Sequence, residues 1–132
     1  MSNFKQYCEK LENKIIASYE ESITMPEAEK LAAEFLAAQL QVSRELAKAA
    51  LDSRMRKSGV KAVRAALYTE ARSKGEKTTE AAIAALLDVN ELVIGEQNAY
   101  DEAEVYSDEL ERLYNVFSNC HIYYRGIAKG SF

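Results

Sequence analysis

Five residues between positions 57 and 72 have the types and spacing that suit the binding of a nucleic acid. They follow one another at intervals of four, three, four and four residues, which places them along one face of a helix: Lys57, Lys61, Arg64, Tyr68 and Arg72. We call these residues the basic stripe. Its cations can neutralise phosphates, and its aromatic ring offers a face on which a base can stack. Further cations extend the predicted binding site at both ends: Arg54, Arg56, Lys74 and Lys77.

The basic stripe lies in a strongly basic part of an acidic chain, whose net charge is −4. Residues 44–77 contain ten basic and four acidic residues, a net charge of +6. Residues 78–111 contain ten acidic residues and neither lysine nor arginine, a net charge of −10. Two interpretations stay open. The basic segment binds a single-stranded nucleic acid, or it pairs with Glu102, Glu109 and their neighbours in the same chain or a neighbouring one.

The sequence does not support an enzyme or a metal site. His121 is the only histidine, and its neighbour Cys120 points about 100° away from it on a helix. Cys8 and Cys120 lie in no metal-ligand spacing, and there is no glycine-rich phosphate loop or nucleophile elbow. We therefore expect no catalytic residue, no metal and no cofactor. His121 is predicted to be a packed or interface residue, and both cysteines to be free thiols.

The elements that must position these residues are predicted to be helices only. The chain has one proline and five glycines in 132 residues, and its apolar residues recur every three or four positions. We expect Gly59 to break or weaken the second helix and residues 73–78 to form a loop. The predicted helices are Asn3–Ile23, about Met25 to Ser58, Val60–Ser73, a short helix that ends near Leu87, and a long helix that ends near Arg125.

Three predicted helices begin at residues that can cap free backbone amides. Thr24 precedes a capping-box pattern that is completed by Glu27, three residues later. Thr78 or Thr79 is expected to cap the short helix. Asp88 is expected to cap the long one.

The long helix carries apolar residues at alternating intervals of three and four over about five heptads, beginning at Leu92 and interrupted only by Glu96. Such a pattern is typical of coiled coils and helical bundles, and the stripe is longer than one short chain can readily cover. We therefore predict a homo-oligomer with these interface residues: Tyr106, Leu110, Leu113, Phe117 and Tyr124. Residues 1–132 are expected to form a single helical domain, with a hinge near Gly75.

The composition also bears on location. No stretch approaches the roughly 18 consecutive apolar residues needed to span a bilayer. The first residues, Met1 to Lys14, are charged throughout and contain no apolar signal core. We expect a cytoplasmic protein that does not enter a membrane.

From about Arg54 to Lys129 the chain resembles in layout the UvsY-like recombination mediators of tailed phages. The resemblance covers a basic helix with Lys61, Arg64, Leu67 and Tyr68, a loop at Gly75, a short helix, the acidic junction Asp88 to Leu92, a long helix with Tyr106, and the closing residues Tyr124 to Lys129. Members of that family are small, helical and oligomeric. They bind single-stranded DNA and contact the recombinase and the single-strand-binding protein.

This resemblance implies a non-enzymatic protein that binds single-stranded nucleic acid and assists recombinase loading in homologous recombination. The setting would be the cytoplasm of a bacterial host, with a recombinase or a single-strand-binding protein as partner. Two alternatives remain. A phage-encoded inhibitor of a host defence protein could use the acidic stretch Glu96 to Glu111 to mimic a nucleic-acid backbone. A structural helical oligomerisation module would contact no nucleic acid.

Overall fold

The computed structural model of this chain describes residues 3–74 and 79–130, and these residues form four α-helices and no strand. The helices are α1 (Asn3–Glu20), α2 (Met25–Ser73), α3 (Glu80–Asp88) and α4 (Glu91–Ala128). The prediction of an all-α fold is confirmed. Within the described residues, no helix is long and apolar enough to cross a membrane. The predicted hinge at Gly75 and the predicted binding residue Lys77 lie outside the described residues.

Helix α2 passes through Gly59 without interruption, so the predicted boundary near Ser58 is wrong. A single glycine costs a helix interior only about 1 kcal/mol relative to alanine, which the long flanking segments can absorb. Gly59 also has a close neighbour, because a Cβ atom at this position would lie 3.1 Å from the Glu96 Oε2 atom of α4. The glycine therefore permits close approach rather than ending the helix.

Two of the predicted helix caps are confirmed. The Glu27 backbone N–H donates to the Thr24 hydroxyl oxygen at 3.2 Å, and the Thr24 hydroxyl donates to the Glu27 carboxylate at 2.9 Å. At the start of α3, the Thr79 hydroxyl oxygen accepts from the Ala82 backbone N–H at 3.2 Å. Local sequence alone therefore identified the starts of α2 and α3.

The predicted cap of the long helix is wrong. Asn90, not Asp88, caps α4, and its side-chain oxygen accepts from the backbone N–H groups of Leu92 at 2.9 Å and Val93 at 3.3 Å. Asp88 is the last residue of α3. Both residue types are good caps, so the choice depends on where α3 ends and which residue of α4 is buried.

The chain forms two compact units. In described residues, the first unit comprises 3–46 and 109–130, and the second comprises 47–74 and 79–108. The first unit has an aromatic core in which the Phe35 ring lies 5.6 Å from the ring centres of both Phe117 and Tyr124. The Tyr124 hydroxyl shares a hydrogen bond of 2.5 Å with the Ser18 hydroxyl, so this buried phenol has a polar partner.

The same core contains most of the residues predicted to form an oligomer interface. Leu110, Leu113, Phe117 and Tyr124 are all buried within the chain. Their apolar stripe therefore forms part of the core of the first unit. Of the predicted interface set, Tyr106 alone is exposed.

The buried face of α4 also begins one residue later than predicted. Val93 is buried, whereas Leu92 is 66% exposed. A helix has 3.6 residues per turn, so a stripe through Leu92 and one through Val93 both fit the spacing up to Ala103, which is buried in either case. Half-buried Glu96 lies on the inner face. Because it is polar, the spacing of apolar residues does not predict its position there.

Candidate nucleic-acid interface

Every predicted binding residue that the structure describes belongs to the second unit. All of them lie on α2 except Lys74, which follows its last residue in a turn. The side chains of Arg64 and Tyr68 are half-buried, and the others are exposed. The structure therefore brings the predicted residues onto one helix and divides them by exposure.

Three of these cations face solvent without a charged partner, and we call them the outer cations: Arg54, Lys57 and Lys61. Within the described part of the chain, none of them forms a hydrogen bond or an ion pair. They are three and four residues apart, so they lie on one side of α2. Their charge is therefore available to an anionic partner.

Two other predicted cations have local partners on the same helix or next to it. Arg56 Nε lies 3.1 Å from Asp52 Oδ2, and Lys74 Nζ lies 3.4 Å from Glu70 Oε1. Both are exposed pairs between residues four apart, and such pairs contribute little to stability. A phosphate could displace either carboxylate at small cost.

The remaining members of the basic stripe contact α3, and we call them the inner group: Arg64, Tyr68 and Arg72. Arg64 Nη1 lies 3.0 Å from Asp88 Oδ1. The Tyr68 hydroxyl donates to Glu80 Oε1 at 3.2 Å, and Arg72 Nη2 lies 3.8 Å from that same oxygen. The inner group is therefore engaged by the carboxylates at the two ends of α3.

Tyr68 and Arg72 also contact each other. Arg72 Nε donates to the Tyr68 hydroxyl oxygen at 3.2 Å, and the guanidinium carbon lies 5.5 Å from the centre of the tyrosine ring. This is the geometry of a cation–π contact, which leaves the ring only partly accessible to a base. Beside it lies an open groove between α2 and α3 of about 430 Å³, lined by Arg64, Ala65, Tyr68, Glu80, Ala84 and Leu87.

These contacts bear on the two interpretations of the charge pattern. Part of the basic segment does pair with the acidic segment inside one chain, but its partners are Glu80 and Asp88. Of the partners expected from the sequence, Glu109 is bound instead by Arg112, at 2.7 Å between nitrogen and oxygen. Glu102 is exposed and forms no ion pair with a described residue. The outer cations take no part in this pairing.

The role of Glu80 and Asp88 was missed in the sequence, although the spacing contained a clue. Arg64 and Arg72 are eight residues apart, and so are Glu80 and Asp88. If α3 returns antiparallel to α2 after a short loop, Glu80 meets Arg72 while Asp88 meets Arg64. Equal spacing of opposite charges on two consecutive predicted helices would have indicated this pairing.

The lone histidine has a structural environment. Its Nδ1–H donates to the Ala32 backbone carbonyl at 2.9 Å, and the side chain is half-buried. This agrees with the prediction of a packed residue. Among the described residues, no group of histidine, cysteine, aspartate and glutamate side chains is arranged to hold a metal ion.

The cysteines are free thiols, as predicted, and neither is in an activating environment. Burial raises the pKa of the Cys8 thiol to about 11, and the nearby carboxylates of Glu12 and Glu45 add to the effect. Burial also raises the pKa of Cys120. A raised pKa keeps a thiol protonated at neutral pH, which is the opposite of what a nucleophile requires.

The geometry of the second unit therefore offers an exposed cationic face next to a partly covered tyrosine. Such a face can neutralise phosphates, and the groove beside Tyr68 can admit a planar group. Comparison of the chain with protein-family models, with curated proteins and with solved structures found no match.

Proposed function

We propose that this chain is a non-enzymatic protein that binds single-stranded nucleic acid through α2 and assists the loading of a recombinase, as the layout it shares with UvsY-like mediators implies. The observation that carries the proposal is the set of outer cations. Arg54, Lys57 and Lys61 lie side by side, exposed, and without an acidic partner in the described residues, although the chain is acidic overall. An unpaired basic face on an acidic protein indicates a polyanionic partner.

Binding would begin at the outer cations. Each phosphate they neutralise releases condensed counterions from the strand, so the affinity should fall as salt rises. The Tyr68 ring, one helical turn beyond Arg64, would then provide a stacking surface for a base. No base-specific hydrogen-bonding set accompanies these residues, so the proposal is for sequence-tolerant binding.

The proposal includes a homo-oligomer, which would repeat the basic face and multiply a modest affinity. Because Leu110, Leu113, Phe117 and Tyr124 are core residues of the chain, its interface must use other side chains. Exposed apolar residues on α2 are candidates, and Leu51 and Met55 are 54% and 65% exposed. Sedimentation of the unmodified protein at micromolar concentration tests this part by itself.

A second candidate function rests on the exposed acidic residues of α4. Glu91, Glu102 and Asp108 are exposed there and form no ion pair with a described residue. Exposed carboxylates on one helix can imitate the phosphates of a nucleic acid and occupy the basic cleft of a host defence protein. This candidate predicts capture of a nuclease through α4 and no affinity for nucleic acid.

Fluorescence anisotropy with a labelled oligothymidylate at low salt tests the proposed function. The expected result is binding by the unmodified protein and a large loss in the double variant Lys57→Ala/Lys61→Ala. The matched control is Lys30→Ala/Lys129→Ala, which removes two exposed lysines from the first unit. Equal losses in the two double variants would mean that net charge, rather than this face, governs binding. Absence of binding by the unmodified protein at high concentration would overturn the proposal and favour the acidic-mimic candidate.

A further inference from the structure

The contacts between α2 and α3 place two carboxylates at the arginines that would otherwise bind the phosphates of a strand. Arg64 and Arg72 are separated by eight residues of helix, about 12 Å at the usual rise per residue. Each of them is held by a carboxylate at one end of α3, Asp88 at 3.0 Å and Glu80 at 3.8 Å. Glu80 also accepts the hydrogen bond of the Tyr68 hydroxyl. One short helix therefore supplies the anion at each arginine and also binds the hydroxyl of Tyr68, the stacking residue between them.

We infer that α3 is an intramolecular competitor, whose Glu80 and Asp88 carboxylates occupy the phosphate positions of the inner group and must be displaced before a nucleic acid engages Arg64, Tyr68 and Arg72. This inference rests on the proposed function, because it describes how the same site is regulated. In its free state the protein then presents the outer cations, while the inner group is engaged by α3. The full basic stripe becomes available only when a polyanion replaces the two carboxylates.

Displacement is feasible because both ion pairs are exposed. The Asp88 side chain is 67% exposed and the Glu80 side chain 81% exposed, so solvent and salt weaken their attraction to the arginines. A strand with several phosphates already held at Lys57 and Lys61 would present further phosphates at a high local concentration. Exchange at Arg64 and Arg72 then replaces one anion with another and leaves no cation unpaired.

The exchange does not require α3 to leave the second unit. Ile83 and Leu87, on the same helix, are 2% and 8% exposed and hold α3 in the core of that unit. Glu80 and Asp88 lie at the two ends of the helix, where a change of side-chain rotamer can turn each carboxylate toward solvent. The competition is therefore between side chains, and the helical content should not change on binding.

The inference is tested by removing the two carboxylate charges while keeping the side-chain shapes, in the double variant Glu80→Gln/Asp88→Asn. The matched control is Glu91→Gln/Glu102→Gln, which makes the same change in net charge on the exposed face of α4 without touching the inner group. Binding of an oligothymidylate is measured for both variants and for the unmodified protein across a series of salt concentrations. Circular dichroism verifies that each variant keeps its helical content.

Loss of the two carboxylate charges that compete at Arg64 and Arg72 should raise the affinity of the first variant and steepen its log–log salt slope by up to about 1.4, since each single-strand phosphate contact adds about 0.7. The control should keep the slope of the unmodified protein. Adding Arg64→Ala and Arg72→Ala to the first variant should abolish the gain, because the gain is attributed to these two residues.

Identical slopes for the first variant and the control would overturn the inference and leave the proposed function standing, provided that the unmodified protein binds. If the unmodified protein does not bind at low salt, the proposed function itself fails, whatever the variants do.

Discussion

Arg64 on α2 and Asp88 at the end of α3 form an ion pair of 3.0 Å that links the basic and acidic segments of one chain. Asp88 is thereby paired with Arg64, while Asn90 caps α4. Within the basic stripe the pair also marks a boundary, because Lys57 and Lys61 before it have no partner among the described residues, whereas Arg72 after it pairs with Glu80 of α3. Part of the basic segment is therefore neutralised by carboxylates of the acidic segment within the fold.

The cap of α4 provides a direct test of the local structure. Asn90→Ala removes the acceptor of two backbone N–H groups and should lower the free energy of unfolding by about 1 kcal/mol. Asp88→Ala removes only an exposed ion pair, which is worth roughly 0.2–1 kcal/mol at most. Urea denaturation of both variants should rank Asn90→Ala as the more destabilised. The reverse order would show that Asp88 is the residue that stabilises the start of α4.

The two helical glycines of the second unit should respond differently to alanine. Nothing lies within 4 Å of a Cβ atom placed on Gly95, so Gly95→Ala should gain the full difference in helix propensity, about 1 kcal/mol. At Gly59 the new Cβ would meet Glu96 Oε2 at 3.1 Å, and this side chain must move by a few tenths of an ångström. Thermal unfolding should therefore show a larger gain for Gly95→Ala. A loss of stability in Gly95→Ala would contradict the helical packing described for α4.

The thiols should react slowly in the folded protein. Cys8 is 3% exposed and its pKa is raised to about 11, so at pH 8 only a small fraction is thiolate. Cys120 is half-buried with a raised pKa, and it should react before Cys8. Titration with a thiol reagent should show rates that increase with pH and lie well below those of the urea-unfolded chain. A Cys8 rate at pH 8 equal to that of the unfolded chain would be inconsistent with its burial.

The two parts of the Tyr68 side chain should contribute differently to binding. Tyr68→Ala removes the stacking surface and should weaken binding at every salt concentration by on the order of 1–3 kcal/mol for each base stacked, with an unchanged salt slope. Tyr68→Phe keeps the ring and loses only the hydroxyl contacts to Glu80 and Arg72. It should bind at least as well as the unmodified protein. Anisotropy titrations at two salt concentrations separate these effects, and a loss in Tyr68→Phe as large as that in Tyr68→Ala would exclude stacking.

Much of the fold could be predicted because its determinants are local. The all-α class followed from the spacing of apolar residues, and the starts of α2 and α3 followed from Thr24 and Thr79, whose caps use side chains only a few residues away. Gly59 was misjudged because its effect depends on the space beside Glu96, which is a tertiary property. The choice between Leu92 and Val93 as a buried residue likewise required knowledge of the packing partner.

The candidate site was predictable in its residues but not in its contacts. Spacing alone placed Lys57, Lys61 and Arg64 on one helix face. Which cations pair with carboxylates depended on the position of α3, since its two terminal carboxylates pair with Arg64 and Arg72. The heptad pattern of α4 placed Leu110, Leu113 and Phe117 in one apolar stripe, but it could not specify what covers that stripe. These residues are buried in the first unit of the same chain.

The central claim, that the outer cations bind the phosphates of a single strand, is tested most directly by the salt dependence of affinity. Binding of an oligothymidylate should be measured from low to moderate salt for the unmodified protein, for Lys57→Ala/Lys61→Ala and for the control Lys30→Ala/Lys129→Ala. If each outer lysine neutralises one phosphate, the first variant should show a log–log slope shallower by about 1.4, and the control should keep the original slope. An unchanged slope in Lys57→Ala/Lys61→Ala, or no measurable binding by the unmodified protein at the lowest salt, would contradict the claim.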